Sequence, residues 1–155
     1  MWKVRKILAP TDLSKLSEAG VRSALELGES QGAEVVVYSV VEFPGTFSQQ
    51  PEELTPAAFG VRSVEEILKD RTEKLDRFLK NAFPELLPRV NVSIDVALGA
   101  ADENILAKAA QERADLIVMS TQGRTGLGRA IMGSVTEKVV RRSPCKVLSV
   151  SPAAV

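Results

Sequence analysis

Five short apolar runs alternate along this chain with stretches whose apolar residues recur every three to four positions, and turn-forming or capping residues stand between them. The first run, Val4 to Ala9, ends at Pro10, after which Leu16, Gly20, Ala24 and Leu27 mark one face of a helix that Gly32 closes. Ala33 to Glu42 is β-branched almost throughout, the signature of a central strand covered on both faces. Ser63 and Glu66 have capping-box spacing and open a long helix, with Ile67, Leu68, Leu75, Phe78, Leu79 and Ala82 inward and Pro84 as its stop. The run from Val90 to Leu98 alternates strictly, as an edge strand with one wet face does. Asp102 then caps a third helix bearing Ile105, Leu106, Ala109 and Ala110, and Asp115 to Ser120 forms another buried strand. A fourth helix, Ser134 to Arg142, carries Val135, Val139 and Val140, and Pro144 divides it from a last strand, "CKVLSVS".

Such alternation predicts an α/β fold, a doubly wound parallel sheet with helices on both faces, because parallel neighbours need a crossover that packs back onto the sheet. Ligands in these sheets sit beyond the carboxyl ends of the strands where strand order reverses. Those ends carry "APTD" after strand one and "MSTQG" after strand four. A chain of 155 residues is sized for one domain, spanning 1–155.

Twenty basic and twenty acidic residues balance, which speaks against a polyanionic partner such as nucleic acid. No apolar run is long enough to span a bilayer, so no membrane partner is expected. The lone Cys145 cannot form an internal disulfide and reads as a buried inert thiol. With no leader-like segment, the expected location is cytoplasmic. The absence of histidine removes Ser-His-Asp, Cys-His and HExxH chemistry. Segment 43–60, with its three prolines and three phenylalanines, shows neither period and is expected to be a mobile loop, a lid or a partner contact.

The residues after strand four, "STQGRTGLGRAIMGSVTEKV", hold four glycines and then begin a helix. Free amides and a helix dipole in one short loop suit an anion, phosphate above all. Gly123 would turn the backbone after the strand, Gly133 would let phosphate oxygens reach the helix amides, and Ser134 could add its hydroxyl. No Walker A lysine and no third dinucleotide glycine is present. The structural alternative is that Ser134 and Glu137 only form a capping box. Glu137 opposes phosphate unless Arg124, Arg129 or a metal compensates. Asp12 could bind a ribose hydroxyl or a divalent ion, or cap the first helix in competition with Ser14. Thr136 could supply a metal-ligand oxygen or serve as an ordinary helix residue.

"KILAPTDLS" and "DLIVMSTQGRTGLGRAIMGSVTEKVVRRSPCKVLSV" resemble the universal stress protein family over nearly the whole chain. The resemblance implies a Rossmann-like sheet in the order 3-2-1-4-5 and a homodimer joined through the C-terminal strand. It also implies ATP, with Mg²⁺, in the crevice, by a G-x-x-G-x9-G-[ST] pattern that Gly123, Gly133 and Ser134 match. Ser120 stands at the first glycine, which points to weaker binding, and Gln122 where histidine is frequent. Carried over, Pro10, Thr11 and Asp12 lie near ribose and adenine, Val40 offers its backbone to adenine, and Met119 and Ser120 flank the ribose. Gly123, Gly133, Ser134 and Val135 meet the phosphates, with Arg124 beside them and Thr136 as a phosphate or metal contact. "GAADENI" departs from the family's proline-bearing turn and reads as a variation in helix capping.

Two functions follow. One is a nucleotide-binding stress-response regulator, with at most slow ATP hydrolysis because no general base is assigned. The other is a dimeric interaction protein with an empty crevice. A phosphorylated receiver domain is set aside because strand three ends "VALGAA", without the aspartate it needs.

Overall fold

A computed structural model of the chain describes residues 1–42, 63–122 and 132–152. Its elements run β1 (Lys6–Pro10), α1 (Glu18–Gln31), β2 (Glu34–Val41), α2 (Val64–Ala82), β3 (Asn91–Leu98), α3 (Ala101–Gln111), β4 (Leu116–Ser120), α4 (Ser134–Arg142) and β5 (Lys146–Val150). The five strands form one sheet in the order β3-β2-β1-β4-β5, every pairing parallel. β1 is therefore the centre, and β2 is interior beside it. β3 takes the edge, with exposure alternating along its first residues as the sequence pattern requires.

Strand alternation splits the core into two layers. Ile7 and Ala9 of β1, Val35 and Val37 of β2 and Val118 of β4 pack with Leu25, Leu75 and Phe83 on the α1/α2 side. Leu8, Val36, Ile117 and Met119 pack with Ile105, Ala109 and Val139 on the α3/α4 side. Within α2, Ile67, Leu75 and Leu79 are buried, whereas Leu68 is only half-buried. Ala110 and Val140, expected inward, are exposed. Gly32 ends α1 in the left-handed region, φ 63°, and Ser63 caps α2 by accepting the Glu66 amide at 3.2 Å.

Two of the expected caps lie elsewhere. α3 is capped at Ala100, with Asp102 already inside the first turn, because Glu42 at the end of β2 reaches over to accept the Ala101 amide at 3.2 Å. α4 is capped by Gly133, so Ser134 is the first helical residue and no capping box forms there.

At the opposite end of the sheet, charges tie α3 to three strands. Lys6 Nζ lies 3.0 Å from Glu112 and 3.2 Å from Glu34, and Lys108 Nζ lies 2.9 Å from Glu112 and 2.7 Å from Asp95. Hydrogen bonds from Lys108 and Lys6 hold the Glu112 carboxyl below its ordinary 4.5. Glu112 and Glu34 hold Lys6 above its ordinary 10.5. Burial opposes the charge on Lys108, yet Asp95 and Glu112 outweigh it and raise this group too. A lowered acid contributes stability that is present above its ordinary value and lost as pH falls through its folded one. A raised base contributes below its ordinary value and loses its contribution as pH rises through the folded one. The network is thus whole from about pH 4.5 to about pH 10.5. Urea midpoints followed from pH 7 to pH 3 should fall less steeply in Glu112→Gln than in the parent. The difference should stay under about 1 kcal/mol because these groups are partly solvated.

Candidate functional site

The site is built where β1 and β4 end. Beyond Pro10 the chain turns sharply. Thr11 Oγ1 accepts the Leu13 amide at 3.0 Å and shares a 2.7 Å hydrogen bond with Ser17 Oγ, while Asp12 Oδ1 accepts the Ser14 amide at 3.0 Å. These bonds hold Leu13 at φ 66°, a backbone region a leucine rarely occupies. Ser14 wins the capping role. Its Oγ accepts the Ser17 amide at 3.2 Å and starts the 3-10 turn Lys15–Ser17 that leads into α1.

β4 and α4 are sewn together by two bonds, and a third closes the first turn of α4. The Gly133 amide donates to the Thr121 carbonyl at 2.6 Å, the Thr136 hydroxyl donates to the Ser120 carbonyl at 2.9 Å, and the Glu137 amide donates to the Gly133 carbonyl at 2.9 Å. The Gly133 amide is therefore used inside the protein. Those of Ser134, Val135 and Thr136 have no acceptor within the helix, which makes them the donors this end presents. Thr136 spends its one hydroxyl proton on Ser120 and keeps lone pairs.

Ser120 does something that the sequence pattern did not suggest. Its Oγ accepts the Gly20 amide at 2.8 Å, satisfying a donor in the first turn of α1 that the helix cannot satisfy itself. The hydroxyl is held by α1. Ser120→Gly, which would complete the glycine pattern, should cost about 1–3 kcal/mol by leaving that buried amide without an acceptor. Urea unfolding checks this, and nucleotide affinity should not improve.

A cleft of about 430 Å³ opens between these ends. Pro10, Thr11 and Asp12 line it from β1, Val40 from β2, Met119, Ser120 and Gln122 from β4 and its exit, and Gly133, Ser134, Val135 and Thr136 from α4. Gly123 and Arg124 lie outside the described residues, as do Gly126, Gly128, Arg129 and segment 43–60.

The cleft also holds residues that sequence reasoning missed. Lys138 stands one helical turn beyond Ser134, a spacing that could have revealed it. Arg71 comes from α2 and donates to the buried Ser39 Oγ at 3.2 Å, with no local signal in the sequence. Glu42 and Asp102 bring carboxylates to the end of the cleft beside β2. The cleft is consequently polarised. Helix amides and Lys138 lie at the α4 end, Asp12 on the β1 side, Glu42, Asp102 and Arg71 on the β2 side, and Tyr38, Val40, Ile105 and Met119 form an apolar wall.

These features fit an adenine nucleotide: a wall for a planar ring, donors for phosphates, and a volume in the range of small-ligand sites. Among the described residues no group of three His, Cys, Asp or Glu could hold a metal. No helix among the described residues is long and apolar enough to cross a membrane.

Sheet order and a crevice at the strand ends define a Rossmann-like α/β protein. The model of the Universal stress protein family matches residues 3–151, and the chain belongs to that family. Universal stress protein MJ0531 of Methanocaldococcus jannaschii is 32% identical over 94% of this chain and 81% of its own. Universal stress protein UspA from Lactobacillus plantarum shares the fold with a TM-score of 0.76 at 22% identity, over 97% of this chain and 99% of its own. A universal stress protein in complex with cAMP shares it with a TM-score of 0.62 at 22% identity, over 98% and 100%.

Proposed function

We propose that the cleft binds an adenine nucleotide, ATP with Mg²⁺, and that the chain acts as a cytoplasmic stress-response regulator whose contacts depend on that ligand. The observation that carries this reading is the polarised cleft. The free amides of the α4 amino terminus and Lys138 face one end, and an apolar wall with Val40 suits a base at the other. The complex with cAMP in a protein of the same fold supports an adenine nucleotide as the ligand class. Asp12, whose Oδ1 accepts the Ser14 amide, lines the β1 edge of the cleft, where a ribose would pass. Calorimetric titration with ATP, with and without Mg²⁺, tests the proposal, and no heat at millimolar nucleotide would leave the interaction-protein reading in its place.

Homodimer formation through β5 belongs to the same proposal. β5 is an edge strand, and Leu148 on it is 44% exposed, with Val140 of α4 similarly bare. An open edge with apolar residues invites pairing with a second copy. Leu148→Glu should shift the protein from dimer to monomer in size-exclusion chromatography with light scattering.

A further inference from the structure

Three carboxylates line the cleft, and two of them have duties inside the protein. Asp12 accepts the Ser14 amide and Glu42 accepts the Ala101 amide. Asp102 is different. It is 8% exposed, it lines the cleft, and among the described residues it makes no hydrogen bond or ion pair. A buried carboxylate without a partner is costly, and such groups in native proteins call for a specific explanation.

Its place in the fold narrows the explanation. The start of α3 is fixed to the end of β2, because Glu42 takes the Ala101 amide and the Gly99 amide donates to the Val41 carbonyl at 2.9 Å. Asp102 therefore sits at the β2 end of the cleft, next to the wall of Val40 and Ile105. The phosphate-directed amides belong to α4, which follows β4 on the other side of β1. A carboxylate only accepts hydrogen bonds, so it needs a ligand that brings donors to the apolar wall.

We infer that Asp102 accepts a hydrogen bond from the exocyclic amino group at position 6 of the purine and so sets the base selectivity of the cleft. This rests on the nucleotide reading above. The carboxyl is largely buried at the cleft wall and has no protein partner among the described residues, so the ligand's N–H can be its partner, and a base without that donor gains nothing from it.

Titration with ATP and with purine riboside triphosphate, which lacks the amino group, tests the inference. The parent should bind ATP about tenfold or more tightly than the analogue. Asp102→Ala should bind the two alike, and Asp102→Asn, which keeps a neutral acceptor, should fall between. Thermal unfolding without ligand supplies a second readout, in which the melting temperature of both variants should stay within about 2 °C of the parent or rise, since a desolvated charge has been removed. Equal binding of ATP and the analogue by the parent, or unchanged selectivity in Asp102→Ala, overturns this inference and leaves nucleotide binding standing. GTP bound more tightly than ATP by the parent also overturns it, because guanine's adjacent N1–H and 2-amino donors would then be what the carboxylate reads. A melting temperature lowered by more than about 5 °C in both variants would show that Asp102 holds α3 in place, and sinks the idea equally. Failure of every nucleotide to bind the parent removes both readings together.

Discussion

Gly20→Ala is expected to destabilise the protein by about 2–3 kcal/mol, although alanine is the better helix former by about 1 kcal/mol at an ordinary helix position. Gly20 lies in the first turn of α1, and α1 crosses β4 there with backbone against backbone. A Cβ on residue 20 would stand 2.5 Å from the Ser120 amide nitrogen and 2.8 Å from the Met119 carbonyl carbon. Both atoms belong to a fully buried strand paired on either side, so neither can retreat as a flexible side chain would. The helix must lift instead. Lifting it would stretch the 2.8 Å bond from the Gly20 amide to Ser120 Oγ and loosen Val21, Ala24 and Leu25 from the core. Thermal unfolding should show a fall of about 5–10 °C. A melting temperature at or above the parent's would mean that α1 does not approach the sheet this closely. Because Ser120 and Met119 also line the cleft, nucleotide affinity should weaken in the same variant.

The same contact shows where sequence reasoning stops. Gly20 was legible as one of the small residues on an inward helix face, because that face follows a local period. Its partner Ser120 lies a hundred positions away along the chain. From the chain alone Ser120 could only be weighed as a substitute for a ligand-loop glycine, and the acceptor role depends on a helix crossing that no local pattern records. Asp102 misled in a related way. Asp is a favoured cap, and the sequence placed it as one, but α3 starts before it, with Ala100 at the cap position and Glu42 from the end of β2 accepting the Ala101 amide. The strands and helices themselves were readable because burial on one or two faces writes a period of two, a period of 3.6 or an unbroken apolar run. The order of the strands was not in those periods and came from the family resemblance. The candidate residues of the cleft gathered because they cluster at two strand ends and one helix start, whereas Arg71 enters from a helix elsewhere in the sequence with nothing nearby to announce it.

Ser134→Asp should weaken ATP binding by about thirtyfold or more while leaving the fold as stable as before, or slightly more so. The two effects have opposite signs for one reason. Ser134 is the first residue of α4, where the unpaired amides of the first turn favour negative charge. An aspartate there satisfies the helix from within, for a gain of about 0.3–1 kcal/mol. A phosphate seeking the same amides then meets a fixed like charge, and such a juxtaposition costs several kcal/mol. Glu137 does not already impose this penalty in the parent, because its carboxylate is engaged by Arg141 at 2.8 Å, one turn further along the helix. Ser134→Ala separates charge from hydroxyl loss. It removes one hydrogen bond and should cost about threefold to tenfold in affinity. Raising the salt concentration should narrow the gap between the Asp and Ala variants, since the repulsion acts at the exposed mouth of the cleft. Equal ATP affinity in the parent and both variants would place the phosphates away from α4. A cleft that answers to charge at residue 134 and to the base's amino group at residue 102 would hold its ligand in one direction only, phosphates under α4 and base under α3.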